Sequence, residues 1–176
     1  YGFIDIINQV LSASEMKQEI YTGTPKTKDN TISRLWADTS QTEWAIPCSC
    51  PKKWNVCSAE QDLLQMIQEK GPSCAGCGRL LDPETGHYVH GKPEKAGEFL
   101  GIHAPKIIFP MHYRPNALTG GMEDWKKIWI RKETATNPAV LHNEDLGEDY
   151  DLRVNLLTES DLKAASTLSW PNDLDA

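Results

Sequence analysis

Ile46-Pro47-Cys48-Ser49-Cys50-Pro51 and Cys74-Ala75-Gly76-Cys77-Gly78 are the stretches around which the rest of the chain is arranged. A metal knuckle is a Cys-x-x-Cys-Gly turn whose tight backbone aims two thiolates and several N–H groups at one ion. Cys74 and Cys77 have that spacing, with Gly78 behind them. Cys48 and Cys50 are one residue closer together, and Pro51 stands where the second cysteine of a standard knuckle would be. Cys50 reaches a shared ion if the turn adjusts, and Cys57 is the alternative ligand. The spacing predicts a small zinc ribbon, with Cys48, Cys50, Cys74 and Cys77 closing a tetrahedral site. The competing readings are reduced cysteines in a small core without metal and, less favoured, a disulfide. A site closed by four sulfurs keeps no open position, so its role would be structural. It would hold together a segment with too few large apolar residues to fold alone.

The whole chain has 176 residues, 39% of them hydrophobic, and a formal charge of -7. That is enough for one ordinary domain, or a small domain plus part of another. Residues 141–176 hold nine acids against Arg153 and Lys163, which accounts for the entire -7. Residues 1–140 therefore balance, and no long-range basic field favours nucleic acid. No run of about 18 apolar residues exists, so no membrane span is expected. No signal peptide is visible. The chain opens at Tyr1 inside a helix-like pattern and reads as a fragment of something longer. Five cysteines, an odd number within thirty residues, fit metal-bound thiolates in a reducing compartment better than a secreted disulfide framework.

Phe3, Ile6, Ile7, Val10 and Leu11 share one helical face over residues 2–13. Residues 17–21 read as a short strand, ended by Thr22-Gly23-Thr24-Pro25. Alpha/beta folds place nucleotide-sensing groups in such turns, where hydroxyls and free N–H groups meet a phosphate. A turn with no ligand is the simpler reading of the four residues alone. Asn30 or Thr31 caps a helix containing Ile32, Leu35 and Trp36. Trp44 to Pro47 is a strand that delivers Cys48. Ser58-Ala59-Glu60-Gln61 fits a capping box before a stripe of Leu63, Leu64 and Ile67, which Gly71-Pro72 ends.

His87 and His90 alternate with apolar residues and read as polar positions on a strand face. Residues 97–110 read as two apolar strand pieces around Ala104-Pro105. Met122, Trp125, Ile128 and Trp129 recur at helical spacing over residues 122–134, opposite Lys126, Lys127, Arg131 and Lys132. A basic helix with aromatics suits a phosphate backbone, but a solvated face over core tryptophans is the expectation. Residues 139–146 form a short helix stopped by Gly147. Glu148-Asp149-Tyr150-Asp151 reads as an exposed acidic turn. Thr158 caps a last helix with Leu162 and Ala165, before a polar linker.

In this order the pieces resemble the large subunit of tailed-phage terminases, the motors that package DNA into procapsids. The resembling residues begin with Thr22-Gly23-Thr24-Pro25-Lys26-Thr27, Asp29-Asn30 and Leu35-Trp36. Glu43-Trp44 and Ile46-Pro47-Cys48 follow, leading into the cysteine module with Trp54. Gly86-His87-Tyr88-Val89-His90 and Gly101-Ile102-His103-Ala104-Pro105 come next. Leu141-His142-Asn143-Glu144-Asp145-Leu146-Gly147 and Leu157-Thr158-Glu159-Ser160-Asp161-Leu162 complete the series. The similarity runs along nearly the whole chain, and its specificity lies in the order.

The resemblance implies an α/β or α+β fold: the end of a P-loop-type ATPase domain, an inserted zinc ribbon, then further strands and helices. Residues 1–43 would finish the ATPase domain, 44–95 form the ribbon, 96–165 return to the ATPase domain and lead toward the nuclease, and 166–176 serve as a linker. Thr22, Gly23 and Thr24 match the coupling motif that senses the γ-phosphate. The parent would use ATP and Mg to package double-stranded DNA, and would cut concatemers with a two-metal nuclease. Its partners would be DNA, the small terminase subunit, the portal, and a protein that recognises terminases, in the cytoplasm of an infected or lysogenic bacterium. The chain itself carries no Gly-x-x-x-x-Gly-Lys-Ser/Thr, no Asp-Glu pair ending an apolar strand and no nuclease aspartate triad. It is therefore expected neither to hydrolyse ATP nor to cut DNA alone. The alternative is a non-catalytic zinc-ribbon module that binds nucleic acid or protein.

Overall fold

The computed structural model describes residues 17–27 and 31–150, together with Gln9 and Glu15. The predicted helices at 2–13 and after Thr158, and the terminal linker, lie outside the described residues.

α1 (Thr31–Asp38) contains Ile32, Leu35 and Trp36, as their spacing predicts. A turn through Thr39 and Ser40 leads into β1 (Thr42–Pro47). β1 pairs antiparallel with β2 (Trp54–Val56) on one side and with β5 (His87–His90) on the other. The sheet order is thus β2-β1-β5, with Ala45 opposite both Val56 and His87. β1 includes both Glu43 and Trp44. Side chains alternate across a strand, so Trp44 and Ile46 share the face that meets the core, while Ala45 lies on the other. On that second face Trp54 and His87 meet edge to face at 4.7 Å. His90 bonds through Nδ1 with the Thr42 hydroxyl at 2.8 Å.

Between β2 and β5, α2 (Leu63–Met66) is a single turn, shorter than the apolar stripe predicts. Its caps explain why. The Ser58 carbonyl accepts the N–H groups of Gln61 and Leu63, and Asp62, the residue before the helix, makes no side-chain capping bond. Ile67 is extended and starts β3 (Ile67–Gln68), which pairs with β4 (Gly71–Pro72). The chain therefore turns back as a tight hairpin before a second helical turn can form.

Residues 97–110 also differ from expectation. Only Ile102 makes a ladder contact, an isolated parallel bridge to Thr42. Pro105 then opens a 3-10 turn, Lys106–Ile108, which sends Ile107 and Ile108 into the core. A single turn, α3 (Pro110–Tyr113), follows. Residues 17–21 are likewise not a strand: a strand exists through its ladder bonds, and none joins them to another described segment.

The longest helix among the described residues, α4 (Glu123–Thr134), matches its spacing. Trp125 and Ile128 are buried, and Trp129 packs partly against the core. The helix ends at Ala135, in left-handed conformation at φ 46°. The Asn137 side chain accepts the Val140 N–H to start α5 (Pro138–Val140). This runs into a π-helical segment, Leu141–Leu146, closed by Gly147 at φ 69°. Asp145 in that segment is fully buried and binds Lys106 at 2.8 Å and Arg131. One carboxylate thus ties the π-segment to the 3-10 turn and to α4.

The protein is a mixed α/β structure with small antiparallel sheets. Its core joins Ile46, Cys57, Leu63, Met66 and Ile67 with Ile107, Trp125, Ile128, Leu141 and Leu146. Residues on both sides of position 95 therefore share one core. No helix among the described residues is long and apolar enough to cross a membrane.

Candidate metal centre

Four of the five cysteines, Cys48, Cys50, Cys74 and Cys77, sit on two loops. The first loop joins β1 to β2. Pro47 pairs with Trp54, the Cys48 N–H donates to the Lys53 carbonyl, and the Lys53 N–H donates to the Cys50 carbonyl. Lys53 adopts φ 63°, the left-handed conformation that glycine supplies in a standard knuckle. The shortened Cys48-Ser49-Cys50 turn thus aims both sulfurs to one side.

The second loop follows β4. The Cys74 N–H bonds the Arg79 carbonyl and the Gly78 N–H bonds the Cys74 carbonyl, each at 2.8 Å, with Gly78 at φ 71°. The Gly76 N–H points at Cys74 Sγ from 3.4 Å. A Cβ at position 76 would stand 3.1 Å from the Lys52 side chain, so the bare glycine lets the two loops close on each other. Two polar side chains join them. Asn55 on β2 is fully buried and accepts the Ala75 N–H at 2.9 Å, and Arg79 donates to the Ser49 hydroxyl.

Cys48, Cys50, Cys74 and Cys77 bring their four sulfurs within 4.8 Å of one another. Cys48 and Cys77 are 3.8 Å apart, and Cys50 and Cys74 are 3.6 Å apart. A tetrahedron with zinc–sulfur bonds of about 2.3 Å has sulfur–sulfur edges of about 3.8 Å. The four thiols therefore fit an ion of zinc's size and preference, and they could hold one. Both separations far exceed a disulfide's bond of about 2 Å. Cys57, the alternative ligand, lies in the hydrophobic core instead, fully buried. Burial, with the nearby Glu43 and Asp62 carboxylates, raises its thiol and keeps it protonated.

Proton affinities across the four thiols are uneven. At Cys74 burial opposes ionisation, but the Gly76 and Cys77 N–H groups, the Cys50 thiol and Asn55 outweigh it and bring the thiol down to about 6. At Cys48 the Cys50 N–H favours the thiolate, yet burial and the thiols of Cys50, Cys74 and Cys77 push it up to about 11. Cys74 is thus held toward its thiolate and Cys48 toward its thiol. A metal ion must displace the Cys48 proton, so apparent zinc affinity is expected to rise by about tenfold or more per pH unit between pH 6 and 8. Competition against a chromophoric chelator measures it, and a flat profile would exclude thiolate ligation.

Thr22, Gly23 and Thr24 are exposed and lie away from the cysteine loops in the sequence. The backbone just beyond them is held from elsewhere, by the Tyr150 N–H on the Lys26 carbonyl.

A second group of polar side chains, which sequence reasoning did not anticipate, gathers behind the sheet. Glu43 of β1, His103 and Glu148 place ligand-type atoms within 4.8 Å of one another. His103 Nδ1 is 2.6 Å from Glu43 Oε2, and its Nε2 is 2.6 Å from the Leu146 carbonyl oxygen. Both ring nitrogens are engaged, so the imidazole offers no free lone pair to a metal. Glu148, expected to be exposed, is partly buried and accepts the Ala59 N–H at 3.0 Å. No family model, curated protein or solved structure matches the chain.

Proposed function

We propose that the chain is the section of a terminase large subunit between the ATP-coupling motif and the nuclease domain. The observation that carries this reading is the fixed order of the resembling segments, from Thr22-Gly23-Thr24 through the cysteine module to Leu141–Gly147. Their mutual packing supports it. Glu43, His103 and Leu146 come from three of those segments, and they meet in one pair of hydrogen bonds. Segments that are far apart in the chain thus depend on one another.

In this reading Thr22 and Thr24 present hydroxyls to the γ-phosphate on a turn left open to a ligand. The cysteine module braces the region that follows, with a structural zinc ion bound by Cys48, Cys50, Cys74 and Cys77. ATP and Mg bind residues upstream of this chain, and the small terminase subunit and the portal are partners of the whole motor.

The test is the reading frame around the chain, followed by assay of its product. A Gly-Lys-Ser/Thr loop and an Asp-Glu pair should precede Tyr1, and DNA should stimulate ATP hydrolysis. Thr24→Ala should uncouple hydrolysis from DNA translocation while nucleotide still binds. Absence of both motifs would overturn the reading. A gel shift of the chain alone separates the non-catalytic module: tight, salt-dependent DNA binding would favour that alternative.

A further inference from the structure

We infer that the buried Glu43–His103 pair is a proton-held latch, which docks the Leu141–Leu146 segment and Glu148 onto β1 and lets go when the pair loses its shared proton. The geometry requires one proton on Nε2 and a second shared between Nδ1 and Glu43. A backbone carbonyl only accepts, so Nε2 carries a hydrogen toward Leu146 at 2.6 Å. Nδ1 stands 2.6 Å from the Glu43 carboxylate, so a second proton lies between them. Removing one proton sets a lone pair against an oxygen at one end or the other, whichever tautomer remains. Such a clash in a buried site costs far more than the same change in water.

Every element packed on the ring fits this role. Glu43 comes from β1, and Glu148 stands 3.8 Å from Nε2 on the opposite side. Glu60, from the loop before α2, also acts on Glu43, and Cys57 beside it stays a neutral thiol. Trp36 of α1 meets the ring edge-on at 6.2 Å. His142, stacked on Tyr150, faces Glu148 and is held toward its neutral form by burial. Lys106 and Asp145 are engaged with each other. Gly147, at φ 69°, is what allows the segment so close: a Cβ there would stand 3.1 Å from Nε2.

Burial disfavours the imidazolium, but the bond to Glu43, the Glu43 and Glu148 charges and the Leu146 carbonyl outweigh it, raising His103. A raised histidine contributes stability that is full below its ordinary value of about 6.5 and is lost as pH rises through the raised value. Burial raises Glu43 as well, against the pull of His103. The latch therefore holds on the acid side of the raised His103 value and releases as pH rises through it.

The experiment follows His103 ring-nitrogen shifts by NMR, alongside amide-exchange protection of residues 141–150 corrected for intrinsic rates. The expected result is a His103 that titrates above its ordinary value of about 6.5. Protection at Glu148, whose N–H bonds His142, should fall at least tenfold as His103 deprotonates. In Glu43→Gln the amide donates to Nδ1, a neutral ring satisfies both partners, and the transition should move below pH 6.5. An ordinary or lowered His103 value in the wild-type chain would overturn the inference. So would protection that stays constant through its titration. The wild-type titration decides the matter even if the variant fails to fold.

Discussion

Cys74→Ser is expected to yield a chain that holds no stoichiometric zinc and has lost the ordered loops around the sheet. Cys74 is 2% exposed, and its sulfur lies 3.6 Å from Cys50. A serine hydroxyl does not ionise near neutral pH, so it cannot replace the thiolate. Structural zinc sites in small domains are worth about 10–16 kcal/mol. That is comparable to the whole stability of an ordinary domain, about 5–15 kcal/mol. Without the metal the segment from Cys48 to Arg79 would have to rely on short strands, a single helical turn, a two-residue hairpin and the core contacts of Cys57, Leu63, Met66 and Ile67. Loss of the ion should therefore unfold this region, visible as lost near-ultraviolet circular dichroism and rapid proteolysis. Cys57→Ala is the matched control. It removes a thiol from the same region but from the core, and should keep one ion per chain at a cost of about 1–2 kcal/mol. If both variants lost the metal equally, or neither did, the assignment of the four ligands would be wrong.

Trp125→Ala is expected to destabilise the fold by about 3–5 kcal/mol, the usual range for deleting a buried aromatic. Trp125 is 1% exposed and sits in the core with Ile67, Ile107 and Leu146. Its indole N–H also donates to the Gln68 carbonyl at 2.7 Å. The residue thus fastens α4 to the β3–β4 hairpin, whose next residues lead to Cys74. For a chain of this size, 1 kcal/mol corresponds to about 2–4 °C, so thermal unfolding should fall by roughly 10 °C. Trp125→Phe keeps most of the apolar volume and loses the hydrogen bond, and should cost about 1–2 kcal/mol. A fall below about 2 °C for the alanine variant would show that α4 is not part of the same cooperative core.

The elements legible in the sequence are those with strong local causes. Met122, Trp125, Ile128 and Trp129 mark α4 by period alone, and Cys74 to Gly78 marks its knuckle through turn chemistry. Gly147 marks the end of the π-segment, where a positive φ is required. Elements decided by distant partners were not legible. The apolar residues from 97 to 110 look like strand, but Pro105 opens a 3-10 turn and the core claims Ile107 and Ile108 from it. Ser58 to Gln61 has the composition of a helix start, yet the nearby Asp62 carboxylate is spent elsewhere. It accepts the Val56 N–H and pairs with Lys52 at 2.9 Å. Asn55, His103 and Glu148 carry no local pattern at all, because their partners lie 20 to 89 residues away. At the candidate metal centre, spacing identified the cysteines. The choice between Cys50 and Cys57 was decided by the distant core residues that enclose Cys57, which no local spacing announces.

X-ray absorption at the zinc edge of the purified chain tests the four-thiol centre most directly. The account predicts one zinc ion per chain, with four sulfur neighbours at about 2.3 Å and no nitrogen or oxygen in the first shell. A folded chain that binds no zinc, or a spectrum with nitrogen or oxygen ligands in place of any of Cys48, Cys50, Cys74 and Cys77, would contradict it.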